Sequence, residues 1–212
     1  EEFQKGAQIV ARLGQMTTPN HNEVVLMSGS LGFSALVCLL NNGNNGQTET
    51  TANLLGPFWR LNSPRTENGG SIVRSPTPGA VIFVDGWLKD QDGKPIAGVE
   101  VDVWHSSPEG FYEQQDEKQA DMNLRGKFTT DADGHLTFRS VKPAGYPIQI
   151  AGPVGEMQSA LRRTHMRPAR RHFLAVKDGS TYLDSTVDLN QDTVLSPERK
   201  LSVATEFDVH DT

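Results

Sequence analysis

The sequence of 212 residues has very little cysteine, no excess of positive charge and no long apolar run. Its one cysteine, Cys38, lies in an apolar stretch, where a thiol is typical of a protein core in a reducing compartment. The formal net charge of -6 argues against a nucleic acid or an anionic membrane as partner, because the summed field repels phosphate. No stretch approaches the ~20 apolar residues of a membrane span, and the first residues lack the pattern of a secretory signal. We therefore expect a cytoplasmic protein with a small-molecule partner.

The chain shows neither an alternation of strands with helices nor an internal repeat, and its pattern changes once. Residues 3–40 have apolar residues at helical spacing, and Asn20 followed by Glu23 is a capping-box pair that predicts a helix start. Residues 41–46 are asparagines and glycines, which end the helical part. From Leu54 onward, short apolar runs are separated by proline and glycine turns, which is typical of an all-β sandwich or barrel. We predict a helical segment over residues 1–46 and a β domain over residues 47–212.

Several strands of the β domain can be placed from their alternation. Residues 79–88 and 98–104 form two strands, and Val99, Val101 and Val103 are predicted to face inward. Residues 127–138 repeat the scheme, with Asp133 and Gly134 predicted as a tight hairpin turn. A further strand is predicted in the 180s and 190s, and the last strand is predicted at residues 201–209.

One strand carries an unusual set of charged side chains. Arg170 and His172 are two residues apart and therefore share one strand face, while Arg171 lies on the other. The strand continues into the apolar residues 173–176. Because an unpaired charge is costly to bury, the cation and the imidazole need partners. This strand is therefore a candidate site.

A series of short motifs follows along the chain. They are Leu-Leu-Gly-Pro-Phe at 54–58, Asp-Gly-Lys-Pro at 92–95, Val-Trp-His at 103–105, Gly-Phe-Tyr at 110–112, Asn-Leu-Arg-Gly at 123–126, Thr-Asp-Ala-Asp-Gly at 130–134, Gly-Tyr-Pro-Ile at 145–148, Gly-Pro-Val-Gly at 152–155 and Arg-Pro-Ala at 167–169. In this order they resemble the intradiol ring-cleavage dioxygenases, in particular the catechol and hydroxyquinol branch, over nearly the whole chain. The resemblance implies a mostly β fold, a β-sandwich of mixed sheets, with a small helical N-terminal segment that builds a homodimer.

The resemblance also implies a set of metal ligands. Members of the family bind non-haem Fe(III) through two tyrosinates and two histidines, and O2 splits the bond between the two hydroxyl-bearing carbons of a catechol. By motif, the tyrosines fall on Tyr112 and Tyr146, and the second histidine falls on His172. The first histidine falls on Arg170, whose guanidinium is protonated and has no lone pair for a metal. We therefore expect no cofactor, with an Fe(III) site of Tyr112, Tyr146 and His172 as the alternative.

Other pocket residues follow from the same resemblance. Arg167 matches the family arginine that supports the ring during cleavage, and Thr186 falls where the family has a glutamine near the substrate. The pocket entrance is expected to include Leu55, Pro57 and Trp59 as substrate-binding residues.

Each candidate also has a purely structural interpretation. The two tyrosines could place their hydroxyls at the surface, and His172 could be a satisfied core histidine or an acid-base group. Arg170 could fill the place of the iron, or it could pair with Asp188 or Glu113. Trp104 is expected in the core. Three other histidines are expected in solvent: His105, His135 and His210.

Three functions remain open from the sequence. The preferred one is an enzyme that lost iron and uses Arg167, Arg170, Tyr112, Tyr146 and His172 for a metal-independent cyclisation, dehydration or isomerisation of a phenolic or quinone-methide substrate. The alternative is an Fe(III)-dependent ring-cleavage dioxygenase acting on a catechol or hydroxyquinol. A second alternative is a non-catalytic binding subunit. All three imply a small aromatic partner and neither a nucleic acid nor a membrane.

Overall fold

The structure is a computed structural model that describes residues 1–18, 22–42, 54–90, 92–148, 150–178, 180–188 and 207–211. The chain divides into two compact units, Glu1–Asn44 with Pro147–Arg167, and Asn45–Tyr146 with Pro168–Thr212. The domain boundary predicted at residue 46 stays a prediction. The sequence pattern did not indicate that the segment 147–167 groups with the N-terminal helices.

The first unit is helical in the part of the chain that the structure describes. Its helices are α1 (Glu2–Met16), α2 (Glu23–Leu31), α3 (Phe33–Asn42) and α4 (Pro153–Ala160). The side chain of Asn22 caps α2 by accepting a hydrogen bond from the Val25 N–H at 2.9 Å. Asn20, the predicted capping residue, lies outside the described residues. The carboxylate of Glu23 accepts a hydrogen bond from the Val154 N–H, in the first turn of α4, at 3.0 Å.

A small apolar core joins three of these helices. Leu13 of α1, Met27 of α2 and Val154 of α4 are buried together. At the surface, Arg12 and Glu156 form an ion pair with an N–O distance of 2.6 Å.

None of the helices in the described ranges is long and apolar enough to cross a membrane. A cytoplasmic location stays a prediction.

The second unit is built from two main sheets. The strands, in chain order, are β1 (Val81–Trp87), β2 (Glu100–His105), β3 (Arg125–Thr129), β4 (His135–Val141), β5 (Tyr146–Pro147), β6 (Met166–Arg167), β7 (Arg170–Lys177), β8 (Ser180–Asp188) and β9 (Phe207–Asp211), of which β5 and β6 are two-residue strands at the boundaries of the units. One sheet has the order β4-β1-β9 and the other the order β3-β2-β7-β8. Neighbouring strands in both are antiparallel, and parallel pairing is seen at the isolated bridges Arg65–Lys127 and Ser71–Arg139.

The two sheets pack face to face around one apolar core. The buried side chains from the two sheets form a single cluster that includes Ile82, Val84, Leu136 and Phe138 from one sheet and Val101, Val103, Phe128, Phe173 and Ala175 from the other. Alternation explains this arrangement, because every second residue of each strand turns toward the facing sheet. The predicted mostly β sandwich is confirmed, as is the inward direction of the three valines of residues 99–103.

Two details of the strand predictions need correction. The turn at Gly134 is tight, with a φ of +70° at the glycine, but it is not a hairpin, because β3 and β4 belong to different sheets. It carries the chain from one layer of the sandwich to the other. The strand predicted at residues 201–209 is described only from Phe207, and its other residues lie outside the described part of the chain.

Candidate active site

One row of residues crosses the four-stranded sheet and leads to the site. Arg125 on β3 lies opposite Trp104 on β2, Trp104 lies opposite His172 on β7, and His172 lies opposite Thr186 on β8. Residues directly opposite each other on neighbouring strands share a face. The rings of Trp104 and His172 stack with centroids 4.8 Å apart and planes at 4°. This packing orients the imidazole within the sheet.

The opposite face of the same strand is also charged. Arg171 lies opposite His105 across β7 and β2, and both side chains are only 1% exposed. His105 was expected in solvent, and that prediction is wrong. Burial, with the nearby Arg171 charge as the second cause, lowers the pKa of His105 to about 3.

Two glycine-flanked turns bring the two tyrosines together. Gly110 has a φ of +86°, and a side chain there would place its Cβ only 2.7 Å from the carbonyl oxygen of Gly145. Only glycine therefore allows the turn before Tyr112 to pack against the turn before Tyr146. The two phenol rings meet edge to face with centroids 5.6 Å apart.

Phe58 completes this aromatic cluster. Its ring stacks on Tyr112 at a centroid distance of 4.2 Å and meets Tyr146 edge-on at 6.0 Å. Phe58 was not among the predicted site residues, although it ends the motif at residues 54–58 and could have been singled out there. An aromatic wall of this kind suits a flat aromatic ligand.

The tyrosine cluster meets the sheet at His172. The phenol oxygen of Tyr112 lies 3.3 Å from Nε2 of His172. Both side chains are buried, and Nδ1 of His172 has no hydrogen-bond partner among the described residues. The interpretation of Tyr112 as a surface tyrosine is wrong, and His172 is not a fully satisfied core histidine within the described part of the structure.

The charges around this pair determine where its protons lie. Burial, followed by the charge of Arg170, lowers the pKa of His172 to about 3, so that the imidazole is neutral at neutral pH. Burial and the neighbouring Tyr146 raise the pKa of Tyr112, while the charges of Arg170 and Arg125 act in the opposite direction. Arg170 is thus electrostatically coupled to both residues, as its place on the strand face predicts.

These residues can be tested as a donor set for a metal. Two phenol oxygens and a neutral imidazole nitrogen are suitable donors for a hard trivalent ion, provided that the phenols lose their protons. The 3.3 Å between the Tyr112 oxygen and His172 Nε2 is a separation that two ligands of one ion can have. In the described residues, no group of three or more His, Cys, Asp or Glu side chains could hold a metal. A metal here would therefore depend on Tyr112, Tyr146 and His172, and these three residues fit.

Comparison with known proteins decides the family. A family model described as "Dioxygenase" matches residues 54–206, and a second, described as "Catechol dioxygenase N terminus", matches residues 1–49. The chain belongs to the intradiol ring-cleavage dioxygenase family.

Individual members of this family are similar over most of the chain. Catechol 1,2-dioxygenase from Candida albicans is 37% identical over 82% of this chain and 58% of the relative. Hydroxyquinol 1,2-dioxygenase from a Rhizobium species is 39% identical over 86% of the chain and 62% of the relative. Intradiol ring-cleavage dioxygenase prcA from Aspergillus niger is 34% identical over 90% and 60%. The chain thus spans about three fifths of the length of these relatives.

Solved structures of dioxygenases share the fold. Hydroxyquinol 1,2-dioxygenase from Pseudomonas putida DLL-E4 superposes with a TM-score of 0.83 at 33% identity, over 91% of this chain and 66% of that structure. Catechol 1,2-dioxygenase from Pseudomonas arvilla C-1 gives a TM-score of 0.76 at 31% identity, over 91% and 62%.

The family assignment overturns the preferred functional prediction. The relatives are ring-cleavage dioxygenases, so the prediction of a metal-independent cyclase, lyase or isomerase is wrong, and the ring-cleavage alternative fits better. The prediction rested mainly on Arg170, and it gave this altered position more weight than the three donors that converge beside it.

The structure describes the remaining predicted site residues in different detail. At the predicted pocket entrance, Leu55 and Trp59 are half-buried and Pro57 is exposed. The backbone of Thr186 lies opposite His172, but its side chain falls outside the described residues. Arg167 belongs to the helical unit.

The two proposed partners of Arg170 also differ in what the structure shows. Asp188 lies directly opposite Arg170 in the β7–β8 register, with a side chain outside the described residues. Glu113 accepts hydrogen bonds from Arg125 at 2.7 Å and from Arg60 at 2.9 Å.

Proposed function

We propose that this chain carries the catalytic site of an Fe(III)-dependent intradiol dioxygenase that cleaves catechol or hydroxyquinol between its two adjacent hydroxyl-bearing carbons. The observation that supports the proposal is the convergence of Tyr112, Tyr146 and His172, with the Tyr112 oxygen 3.3 Å from His172 Nε2. The names of the similar proteins, catechol and hydroxyquinol 1,2-dioxygenases, supply the substrate class.

In this proposal Tyr112, Tyr146 and His172 would hold the iron, and the bound iron would supply the redox chemistry by which O2 cleaves the substrate ring. The protein supports this site with charge. The phenol of Tyr112 must give up its proton to act as a ligand, and burial opposes this loss. The positive charges of Arg170 and Arg125 favour the phenolate. His172 keeps its lone pair at neutral pH because its pKa is lowered to about 3.

Arg170 is assigned a role that its chemistry allows. A guanidinium cannot bind a metal ion, but it donates hydrogen bonds to anionic oxygen. We assign it to the ionised hydroxyl groups of the substrate, whose negative charge it would hold beside the tyrosines.

Phe58 supplies an apolar wall for the substrate ring, since it already stacks on Tyr112 at 4.2 Å. Leu55, Pro57 and Trp59 are proposed to line the entrance. Arg167 and Thr186 keep the roles that the family resemblance implies, in ring support and at the substrate.

Oxygen uptake by iron-reconstituted protein tests the function. With catechol or hydroxyquinol, we expect one O2 to be consumed per substrate, and a product whose mass equals that of the substrate plus O2, because both oxygen atoms enter the two new carboxylic acids. Tyr146→Phe should abolish uptake. Tyr182→Phe is the matched control, since Tyr182 is the third tyrosine of the chain and not a proposed ligand. An iron-loaded protein that consumes no O2 with either substrate contradicts the proposal.

A homodimer is part of the same proposal. Apolar side chains on α2 and α3 are exposed, among them Val25, Phe33, Leu36, Val37 and Leu40, and apolar patches of this kind are typical of protein interfaces. We expect a mass of two chains in light scattering. The cytoplasm stays the proposed location, because a sequence with a single cysteine forms no internal disulfide and is typical of a reducing compartment.

A further inference from the structure

A buried ion pair adjoins the proposed iron ligands. The side chains of Glu113 and Arg125 are only 2% and 1% exposed, and Arg125 Nε donates to Glu113 Oε1 at 2.7 Å. We propose that Glu113 and Arg125 are positioning residues that hold Tyr112 and His172 at their mutual distance, an inference that rests on the function proposed above.

One set of hydrogen bonds around Glu113 holds the backbone of Tyr112. Glu113 follows Tyr112 directly and begins a short 3-10 turn, Glu113–Gln115. The Tyr112 N–H donates to Oε1 of Gln115 at 3.0 Å, and the Gln115 N–H donates to the Tyr112 carbonyl at 2.8 Å. Because Glu113 also accepts a hydrogen bond from Arg60 at 2.9 Å, its carboxylate is held from two directions. The residue next to Tyr112 therefore cannot shift without breaking buried charge-assisted hydrogen bonds.

Arg125 is also connected to His172, through Trp104 in the sheet. Arg125 lies opposite Trp104, and Trp104 lies opposite His172 and stacks on it. Side chains in such a row pack against one another, so the position of one limits the positions of the next. On its other side, Arg125 donates to Glu113, the residue that follows Tyr112. One guanidinium is thus connected to two ligands that come from separate parts of the chain.

The energetics of the pair indicate a role beyond stability. Burying two charges costs more than burying an apolar pair of similar volume, so an ion pair is not the most stabilising choice at such a position. In addition, Nη1 of Arg125 is buried without a hydrogen-bond partner in the described part of the structure. Replacing a group that orients a metal ligand, by contrast, typically weakens metal binding by about tenfold to a hundredfold.

The first experiment uses Glu113→Gln, which keeps the shape of the side chain and removes its charge. Its matched control is Glu100→Gln. Glu100 on β2 pairs with Lys127 at 2.8 Å, and Lys127 lies on β3, the strand that carries Arg125. Metal-free protein with tyrosine labelled with 13C at the ring carbon Cζ alone should show three ring signals, because the chain has three tyrosines. We expect Glu113→Gln to move the signal that Tyr112→Phe removes, and Glu100→Gln to leave it in place.

The second readout is iron binding. We expect Glu113→Gln to bind iron about tenfold to a hundredfold more weakly than Glu100→Gln and the parent, with a shifted charge-transfer absorption. Arg125→Lys keeps the positive charge but loses the planar guanidinium group, and it should also weaken iron binding. This variant replaces Glu113→Gln in the test if Glu113→Gln does not fold.

The outcomes separate this inference from the function. If the parent binds no iron, the proposed function fails, and the Tyr112 ring signal still decides the inference. If both Glu113→Gln and Arg125→Lys leave the Tyr112 signal unchanged and bind iron as the Glu100→Gln control does, the ion pair is only structural, and the inference is overturned.

Discussion

The buried imidazole of His105 predicts a specific loss of stability in mild acid. The ring is 1% exposed, with Nδ1 2.7 Å from the Ser106 carbonyl oxygen and Nε2 2.6 Å from Oγ of Ser140. A carbonyl can only accept, so Nδ1 carries the proton and Nε2 accepts from the serine hydroxyl. Adding a second proton would place a charge in the core beside Arg171. This arrangement explains why burial, and then Arg171, lower the pKa of His105 to about 3.

The magnitude follows from linkage between protonation and folding. The unfolded chain binds this proton below the ordinary pKa of 6.5, whereas the folded chain does not bind it until about pH 3. The neutral imidazole therefore contributes stability that is fully present above pH 6.5 and is lost as the pH falls from there to about 3. At about pH 5, this single group should lower the free energy of unfolding by about 2 kcal/mol relative to neutral pH.

Urea unfolding followed by tryptophan fluorescence can measure this loss. We compare metal-free parent and His105→Gln at about pH 7 and about pH 5, since glutamine cannot take up a proton in this range. The drop in the free energy of unfolding should be about 2 kcal/mol smaller in the variant. His165→Gln is the control, because His165 is exposed and should leave the drop unchanged. Parent and His105→Gln losing stability equally between the two pH values would refute the reasoning.

Three further predictions concern the site and the helical unit. Arg170→His should raise iron affinity by tenfold or more, because it adds a donor and removes a like charge, as measured by iron titration. Tyr146→Phe should weaken the charge-transfer absorption of the iron-loaded protein, since one phenolate is lost; a spectrum equal to that of the parent would remove Tyr146 from the ligand set. Glu23→Ala should lower the free energy of unfolding by about 1–3 kcal/mol, because the buried Val154 N–H loses its acceptor; Glu2→Ala, on an exposed residue, is the control in urea unfolding.

Local patterns in the sequence predicted the elements of the fold well. Alternation placed Val99, Val101 and Val103 in the core, and the same rule put Arg170 and His172 on one face of β7. These predictions succeed because a strand has a fixed period of two, whatever it pairs with.

Pairings between distant residues could not be predicted in this way. The turn at Gly134 has the same local sequence signal whether its strands pair or pass to different sheets, and only the packing of the layers decides between them. The bond from the Val154 N–H to Glu23 joins residues 131 positions apart, and no periodicity reports such a contact. The sequence likewise offered no signal that α4 joins the N-terminal helices.

The candidate site shows the same division between local and distant information. Motifs located Tyr112 and Tyr146, but the stack of Phe58 on Tyr112 and the pairing of Glu113 with Arg125 depend on the folded chain. His105 was misplaced because a polar residue at the end of a strand has no local feature that distinguishes burial from exposure. Its two hydrogen-bond partners, one of them 35 residues away, are what make its burial tolerable.

The position of Arg170 shows why one altered residue is weak evidence against a metal. The proposed donors come from independent elements: Tyr112 from the turn before Glu113, Tyr146 from β5, and His172 from β7, where Trp104 orients it. Changing a neighbour of His172 leaves each of these supports in place. A guanidinium removes one donor, yet its charge also favours the phenolate of Tyr112, which a bound metal requires. The same charge that argued against iron in the sequence therefore helps to prepare the remaining ligands for it, and the balance between these two effects is what Arg170→His would measure.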